Sequence, residues 1–271
     1  MKRAATLAEK LPRHKVVMNP GSYRMAHPVY QLKDIEGIKY THRKPEGLKD
    51  KIAYGAIQGV RKFFDVISSY DPEKMNERKW LNRIIFLETV AGVPGMIGGM
   101  SRHMRSLRTL ERDHGWIHHL LQEAENERMH LFFFLSQRNP GIMFRIGIAL
   151  AQGAFVSGYG LTYMMSPSIC HRFVGYLEEE AVYTYTKLID RIDNGYLPAW
   201  KDANPSVEAL EYYNLPTDAK MRDLFLAVRA DEACHREVNH HFADLKPYDN
   251  VDHIEVSLNE ERTQIKFGAQ Q

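Results

Sequence analysis

From about residue 50 onward, apolar side chains recur three and four positions apart over long stretches, and the strict alternation that marks strands is nearly absent. This period predicts long helices over Asp50–Ser68, Pro72–Arg112, Trp116–Gln137, Ile142–Met165, Ser168–Asp193 and Asp218–Leu245, and a short one over Val207–Tyr213. Turn chemistry sets the breaks: "RNPG", "SPS", "NG" and "KPYDN" each end an apolar run with residues that cannot continue a helix. Pro94, between Gly92 and Gly95, should kink the second helix, because it lacks the amide that would bond to Val90. The expected organisation is an extended, turn-rich N-terminal arm over 1–49, one all-α domain over 50–245 and a C-terminal tail over 246–271.

Composition narrows the field. Lys and Arg total 36 against 34 Asp and Glu, a net charge of +2, which is not the footprint of a nucleic-acid binder. Two cysteines, Cys170 and Cys234, make no disulfide framework and fit a reducing compartment. The first 20 residues are basic but lack the apolar core of a signal peptide.

The chemistry sits on the helix stripes. Leu120, Ala124, Glu127, His130 and Phe134 share one face of the third long helix, and Leu224, Val228, Glu232, His235, Val238 and Phe242 share one face of the last. Glu178 fills the vacant slot in the stripe Val174, Ala181, Tyr185, Leu188 and Ile192, and Glu88 follows Leu81 and Ile84 on the second helix. Glu179 and Glu180 fall about 100° and 200° further round and read as solvated. E-x-x-H occurs four times, where about one is expected by chance. Glu111/His114 lies at a charged helix end, and Glu237 is rotated towards the polar face from Glu232, so those two pairs read as coincidence.

A single E-x-x-H is more often a surface ion pair, and a lone Glu on a core stripe is more often held by Lys or Arg. The combination is different. Glu88, then Glu127 with His130, and Glu178, then Glu232 with His235, is the ligand set of ferritin-like di-iron carboxylate bundles. Four buried carboxylates need compensating charge, which two divalent cations supply. Oxygen ligands with imidazole and no thiolate suit iron or manganese rather than structural zinc.

The segments "LETVAGVPGM" (87–96), "NERMHL" (126–131), "LEEEAVYTY" (177–185) and "RADEACHREVNH" (229–240) resemble, in order, the four signature segments of the alternative oxidases. The resemblance implies a cyanide-insensitive ubiquinol oxidase that reduces O2 to water at two iron ions without pumping protons, bound to one membrane leaflet and paired as a homodimer. By position it implies that Glu88, Glu127, His130, Glu178, Glu232 and His235 hold the metal and that Tyr185 is a redox-active tyrosine. It places Arg83 and Thr184 at the quinol head group, and Asn126 and Asp231 in hydrogen bonds behind the ligands. Tyr213 stands where the family usually has Trp, and the regulatory N-terminal cysteine of the plant enzymes has no counterpart. The matrix face of the mitochondrial inner membrane or the cytoplasmic face of a bacterial membrane is the implied location.

Ile146–Met165 is a 20-residue run without a charge, long enough to span a bilayer. It is nonetheless read as lying in the interface: the helices before and after it must both reach one site, and both are too charged to enter lipid. Met96, Met100, Met104 and Leu107, beside Arg102, Arg105 and Arg108, extend this expected membrane face. Two rivals share parts of the pattern: a di-iron hydroxylase acting on a quinone precursor, and a ferritin-type iron-binding protein.

Overall fold

The computed structural model describes residues 25, 27–247 and 249–251, together with the backbone of two short strands. Among these residues the helices are α1 (Leu32–Ile35), α2 (Leu48–Ile67), α3 (Glu77–Thr109), α4 (Trp116–Leu135), α5 (Ile142–Met165), α6 (Pro167–Asp193), α7 (Pro198–Lys201), α8 (Val207–Tyr213) and α9 (Met221–Asp244). The basic stretch 1–20 lies outside the described residues.

The expected helices are present, and the differences at their ends have local causes. α3 starts five residues later than Pro72 because Asn76 caps it, its side chain accepting from the Lys79 amide at 3.1 Å. α9 starts at Met221, where Asp223 accepts from the Lys220 amide at 2.8 Å. α3 runs through Pro94 without a break in its helical assignment. The tail holds what the apolar pattern did not announce: an antiparallel hairpin of β1 (Ile254–Leu258) and β2 (Thr263–Phe267), in register from Ile254 opposite Phe267 to Leu258 opposite Thr263.

α3, α4, α6 and α9 form the bundle, and the α3–α4 and α6–α9 pairs pack most extensively. The first pair can close up because Gly95 has no side chain: a Cβ there would lie 2.5 Å from the Leu120 carbonyl oxygen and 3.1 Å from the Ala124 amide. Gly175 does the same for α6, where a Cβ would meet the His240 ring at 2.5 Å. The main core fills one end of the bundle with Trp80, Ile85, Phe133, Phe134, Leu188 and Phe225. α1 and the arm before it lie on α9, where Arg229 donates to the Ile35 and Glu36 carbonyls at 3.0 and 2.9 Å.

α5 is the outlier. Only Tyr159 and Tyr163 of its residues are buried, while Ile142, Met143, Leu150, Leu161, Met164 and Met165 are exposed. α3 and α5 are both long and apolar enough to cross a membrane, but α3 is largely spent on the bundle whereas 6% of α5's most apolar window is buried. α2 also turns Val60, Phe63, Val66 and Ile67 outward, a face the sequence reading left unassigned. Stacked Phe64 and Phe86, with Phe144 edge-on to the latter, join α2 to the start of α5.

Gly95→Ala should therefore cost about 1–3 kcal/mol through overpacking. Gly153→Ala, on α5 with nothing within 4 Å of its Cβ, should be neutral or stabilising. Thermal unfolding of the two variants in the same detergent checks the contrast.

Candidate metal centre

The bundle helices bring the expected ligands to one place. Glu88 comes from α3, Glu127 and His130 from α4, Glu178 from α6, and Glu232 and His235 from α9, all buried. The ligand atoms of Glu88, Glu127, His130 and Glu232 lie within 4.8 Å of one another, and so do those of Glu127, Glu178, Glu232 and His235. Glu127 and Glu232 belong to both groups, so the arrangement offers room for two adjacent cations that would share two carboxylates.

The hydrogen bonds support the same reading. Glu88 Oε2, both Glu127 oxygens, Glu232 Oε2, His130 Nδ1 and His235 Nδ1 are buried without a hydrogen-bond partner. His130 Nδ1 faces Glu88, Glu232 and Glu127 oxygens at 3.5, 3.5 and 3.6 Å. His235 Nδ1 is 2.8 Å from Glu127 Oε1 but out of line for a hydrogen bond. Native interiors rarely leave this many polar atoms unpaired, and lone pairs converging from four helices are what metal ions satisfy. The residues fit a pair of cations.

Charge is distributed unevenly across the site. Burial pushes the Glu88 carboxyl up to about 8, against the pull of His130. Burial with the Glu232 and Glu127 charges raises Glu178 well above the usual range. Glu127 shares that burial, yet the pull of the adjacent His130 and His235 imidazoles outweighs it and lowers its pKa. Burial alone would depress both imidazoles. For His130, Tyr213, Asp231 and the carboxylates win, and for His235, Glu127 and Glu232 do, so both are held well above the ordinary value.

Behind His130 the expected partners are in place. Its Nε2–H lies 3.0 Å from the Tyr213 hydroxyl and 3.1 Å from Asp231 Oδ2. The same Asp231 oxygen accepts from Asn126 at 2.8 Å and from Tyr213 at 2.6 Å. Tyr213, noted in the sequence only as a departure from Trp, thus donates into this network with its phenol. Tyr30 from the arm donates to the other Asp231 oxygen, and Asn126 also donates to Tyr212 at 3.0 Å. Nothing in the helix pattern pointed to Tyr30 or Tyr212. Glu123, buried one turn before Glu127 and bonded to Asn239 at 2.7 Å, was missed too.

Tyr185 is buried with its hydroxyl donating to Glu88 Oε1 at 2.5 Å. Burial and the Glu88 and Glu232 charges raise its pKa well above 10.0, so the phenol keeps its proton. Thr184 is buried, its hydroxyl donating to the Glu180 carbonyl at 2.7 Å. Arg83 stands apart from the carboxylates. It pairs with Asp65 at 2.5 Å and Ser68 at 3.1 Å and stacks 3.8 Å from the Tyr70 ring centre. Beside it, a cavity of about 550 Å³ is lined by Gln58, Arg61, Lys62, Asp65, Val66, Ser69 and Tyr70. Arg61 also pairs with Glu180, which joins α2 to α6 at this cavity.

One expectation is corrected. Glu179 is not solvated but buried, accepting from His42 Nδ1 at 2.6 Å, the Arg43 amide at 2.8 Å and His240 Nε2 at 2.9 Å. His240 of α9 closes part of the face it occupies, and the arm closes the rest. Glu180 is half-buried against Arg61 and Gln58. Of the two E-x-x-H pairs set aside, Glu111 is exposed, and Glu237 pairs with Arg236 at 2.9 Å.

Comparison with known families matches residues 30–244 to the profile described as "Alternative oxidase". A protein of Aspergillus niger named "Alternative oxidase, mitochondrial" is 49% identical over 230 residues, covering 81% of this chain and 66% of its own. Proteins of the same name from Emericella nidulans and Trypanosoma brucei brucei are 47% identical over 232 residues and 50% over 218, covering 82% and 80% of this chain. The matches span 66% of the length of each of these relatives.

Metal binding should be coupled to proton release. Glu88 at about 8 and the raised Glu178, His130 and His235 carry protons near neutral pH in the metal-free protein, and a cation must displace them. Affinity should therefore weaken as pH falls, by about tenfold per pH unit for each proton displaced. Titration of the apoprotein with Fe(II) in two buffers of different ionisation enthalpy measures the protons released; none released would contradict this.

Proposed function

Because the chain belongs to the alternative oxidase family, we propose that it is a cyanide-insensitive ubiquinol oxidase reducing O2 to water at a di-iron centre, without moving protons across a membrane. The observation that carries this reading is the pair of buried Glu/His groups sharing Glu127 and Glu232, with the Tyr185 phenol on Glu88. When bound, the iron pair supplies the redox chemistry, accepting electrons and delivering them to O2.

The chain's own residues prepare that step. Glu127 and Glu232 span the two positions, and Glu88 with His130 and Glu178 with His235 complete them. Asp231 and Asn126 hold His130 with Nδ1 towards the carboxylates. Tyr185 sits in surroundings that resist an anion, so its proton leaves only when an electron leaves with it, and Glu88 Oε1 is placed to receive that proton. Arg83, paired with Asp65 at the edge of the Arg61–Asp65 cavity, and Thr184, next to Tyr185, are the residues assigned to the quinol head group. Two quinols supply four electrons and four protons, which turn one O2 into two waters. The balance closes without protons from solution.

The geometry favours a monotopic arrangement. Gln152, in the middle of α5, donates to the Thr89 carbonyl at 2.6 Å, so α5 lies along the bundle level with Glu88. Were α5 to cross the bilayer, the charged α4, α6 and α9 would share its depth, which costs several kcal/mol per charge. α5 therefore rests flat in one leaflet with the outer face of α2 beside it, and the Met96–Leu107 stripe extends the apolar surface. We place the protein on the matrix side of the mitochondrial inner membrane or the cytoplasmic side of a bacterial one, as a homodimer.

Oxygen uptake by the iron-loaded protein with ubiquinol as sole donor should be sustained and yield water. Tyr185→Phe should keep near-normal iron and lower turnover at least about tenfold, ~1.4 kcal/mol in the barrier. Wild-type turnover in the loaded variant would remove Tyr185 from the mechanism. Cysteines placed at Gly141 and Ser166, flanking α5, should be labelled from the same side of sealed vesicles; labelling from opposite sides would contradict the flat placement.

A further inference from the structure

The arm before the bundle reaches the metal centre. Tyr30 spans 201 residues of sequence to donate its phenolic proton to Asp231 Oδ1, while Asp231 Oδ2 serves His130, Asn126 and Tyr213. Its ring packs on Tyr213, with centroids 6.4 Å apart. Three residues earlier, His27 stacks on Tyr212 at 3.6 Å and its Nε2–H donates to the Tyr212 carbonyl at 2.6 Å. The Tyr212 hydroxyl, in turn, accepts from Asn126. Thus residues 27–30 touch both tyrosines behind His130. The arm is anchored for this: Arg229, on the same helix as Asp231 and two residues before it, holds the Ile35 and Glu36 carbonyls, and Arg222 clasps the Glu36 carboxylate.

We propose that Tyr30 is a positioning residue of the metal centre, setting through Asp231 how strongly and in what orientation His130 donates to the metal. This rests on the reading that His130 is a ligand. A carboxylate shares its electron density among the hydrogens it accepts. With the Tyr30 phenol on Oδ1, Oδ2 pulls less on the imidazole Nε2–H; without it, the pull increases and Oδ1 is left buried and unpaired. Tyr30 comes from outside the four helices, and its ring also packs against the main core.

The test compares full-length, iron-loaded wild type with Tyr30→Phe, and with 3-fluorotyrosine introduced at position 30 as a stronger donor of nearly the same shape. Tyr30→Phe should release Fe(II) to a chelator about tenfold more slowly, because His130 becomes the stronger donor, and the Mössbauer quadrupole splitting of one iron should shift. Fluorotyrosine should move both readings in the opposite direction. Thermal unfolding of the apoproteins separates a packing role. If both substitutions leave iron release and spectrum at wild-type values, or only the unfolding temperature moves, the inference is wrong. Should Tyr30→Phe fail to fold, the fluorotyrosine protein decides alone. A wild-type protein that takes up no iron would instead overturn the metal-centre reading itself, and this inference with it.

Discussion

Four carboxylates on four different helices converge in the interior of this bundle, and they repel one another. Nothing in the apolar packing around them offsets that, and among the described residues the groups paired with them are imidazoles rather than Lys or Arg. What stands between them are two imidazoles, shifted protons and the unfilled lone pairs of Glu88, Glu127 and Glu232. The hydrogen bonds behind His130, the phenol on Glu88 and the packing of α3 on α4 all serve to hold these charges at fixed separation. Two cations would neutralise these carboxylates, and binding them would couple metal to the stability of the bundle.

The ligands were legible in the sequence because each lies on a helix stripe whose other members are apolar. A carboxylate in such a slot has nowhere to go but inward, and Glu88, Glu127, Glu178 and Glu232 all obey this. The same reasoning misplaced Glu179. Periodicity locates a residue relative to its own helix, but His240 of α9 and His42 and Arg43 from the arm close over this face together. Tyr30 escaped for a similar reason: its partner is 201 residues away, and no local pattern marks it. The hairpin of β1 and β2 is short, and its alternation was lost among helical signals. Sequence periodicity saw the bundle well and the segments draped over it poorly.

α5 shows why composition has to be set beside packing. It is long and apolar enough to cross a membrane, and α3 passes the same test. The two differ in what covers them. α3 buries Trp80, Leu81, Ile84 and Glu88 in the bundle, while α5 offers Tyr159, Tyr163 and Gln152 to its neighbours and leaves the rest of its apolar surface outward. One side of the molecule is therefore apolar next to a site that is fully ionisable. A lipid-soluble reductant would meet the protein in the plane in which it already diffuses.

The backbone contact at Gly95 has an effect beyond packing. Where the Leu120 carbonyl and the Ala124 amide press on a bare α-carbon, no side chain can change rotamer to let the helices slide. Gly92 makes a second such approach, with Ala124 O 3.3 Å from where its Cβ would be and Glu127 Cβ at 3.5 Å. The separation of Glu88 and Glu127 is thus set by main chain rather than by adaptable side chains. Metals held by this framework would find little in it that can relax, and two glycines that offer no ligand atom would keep the reorganisation energy of an electron transfer small.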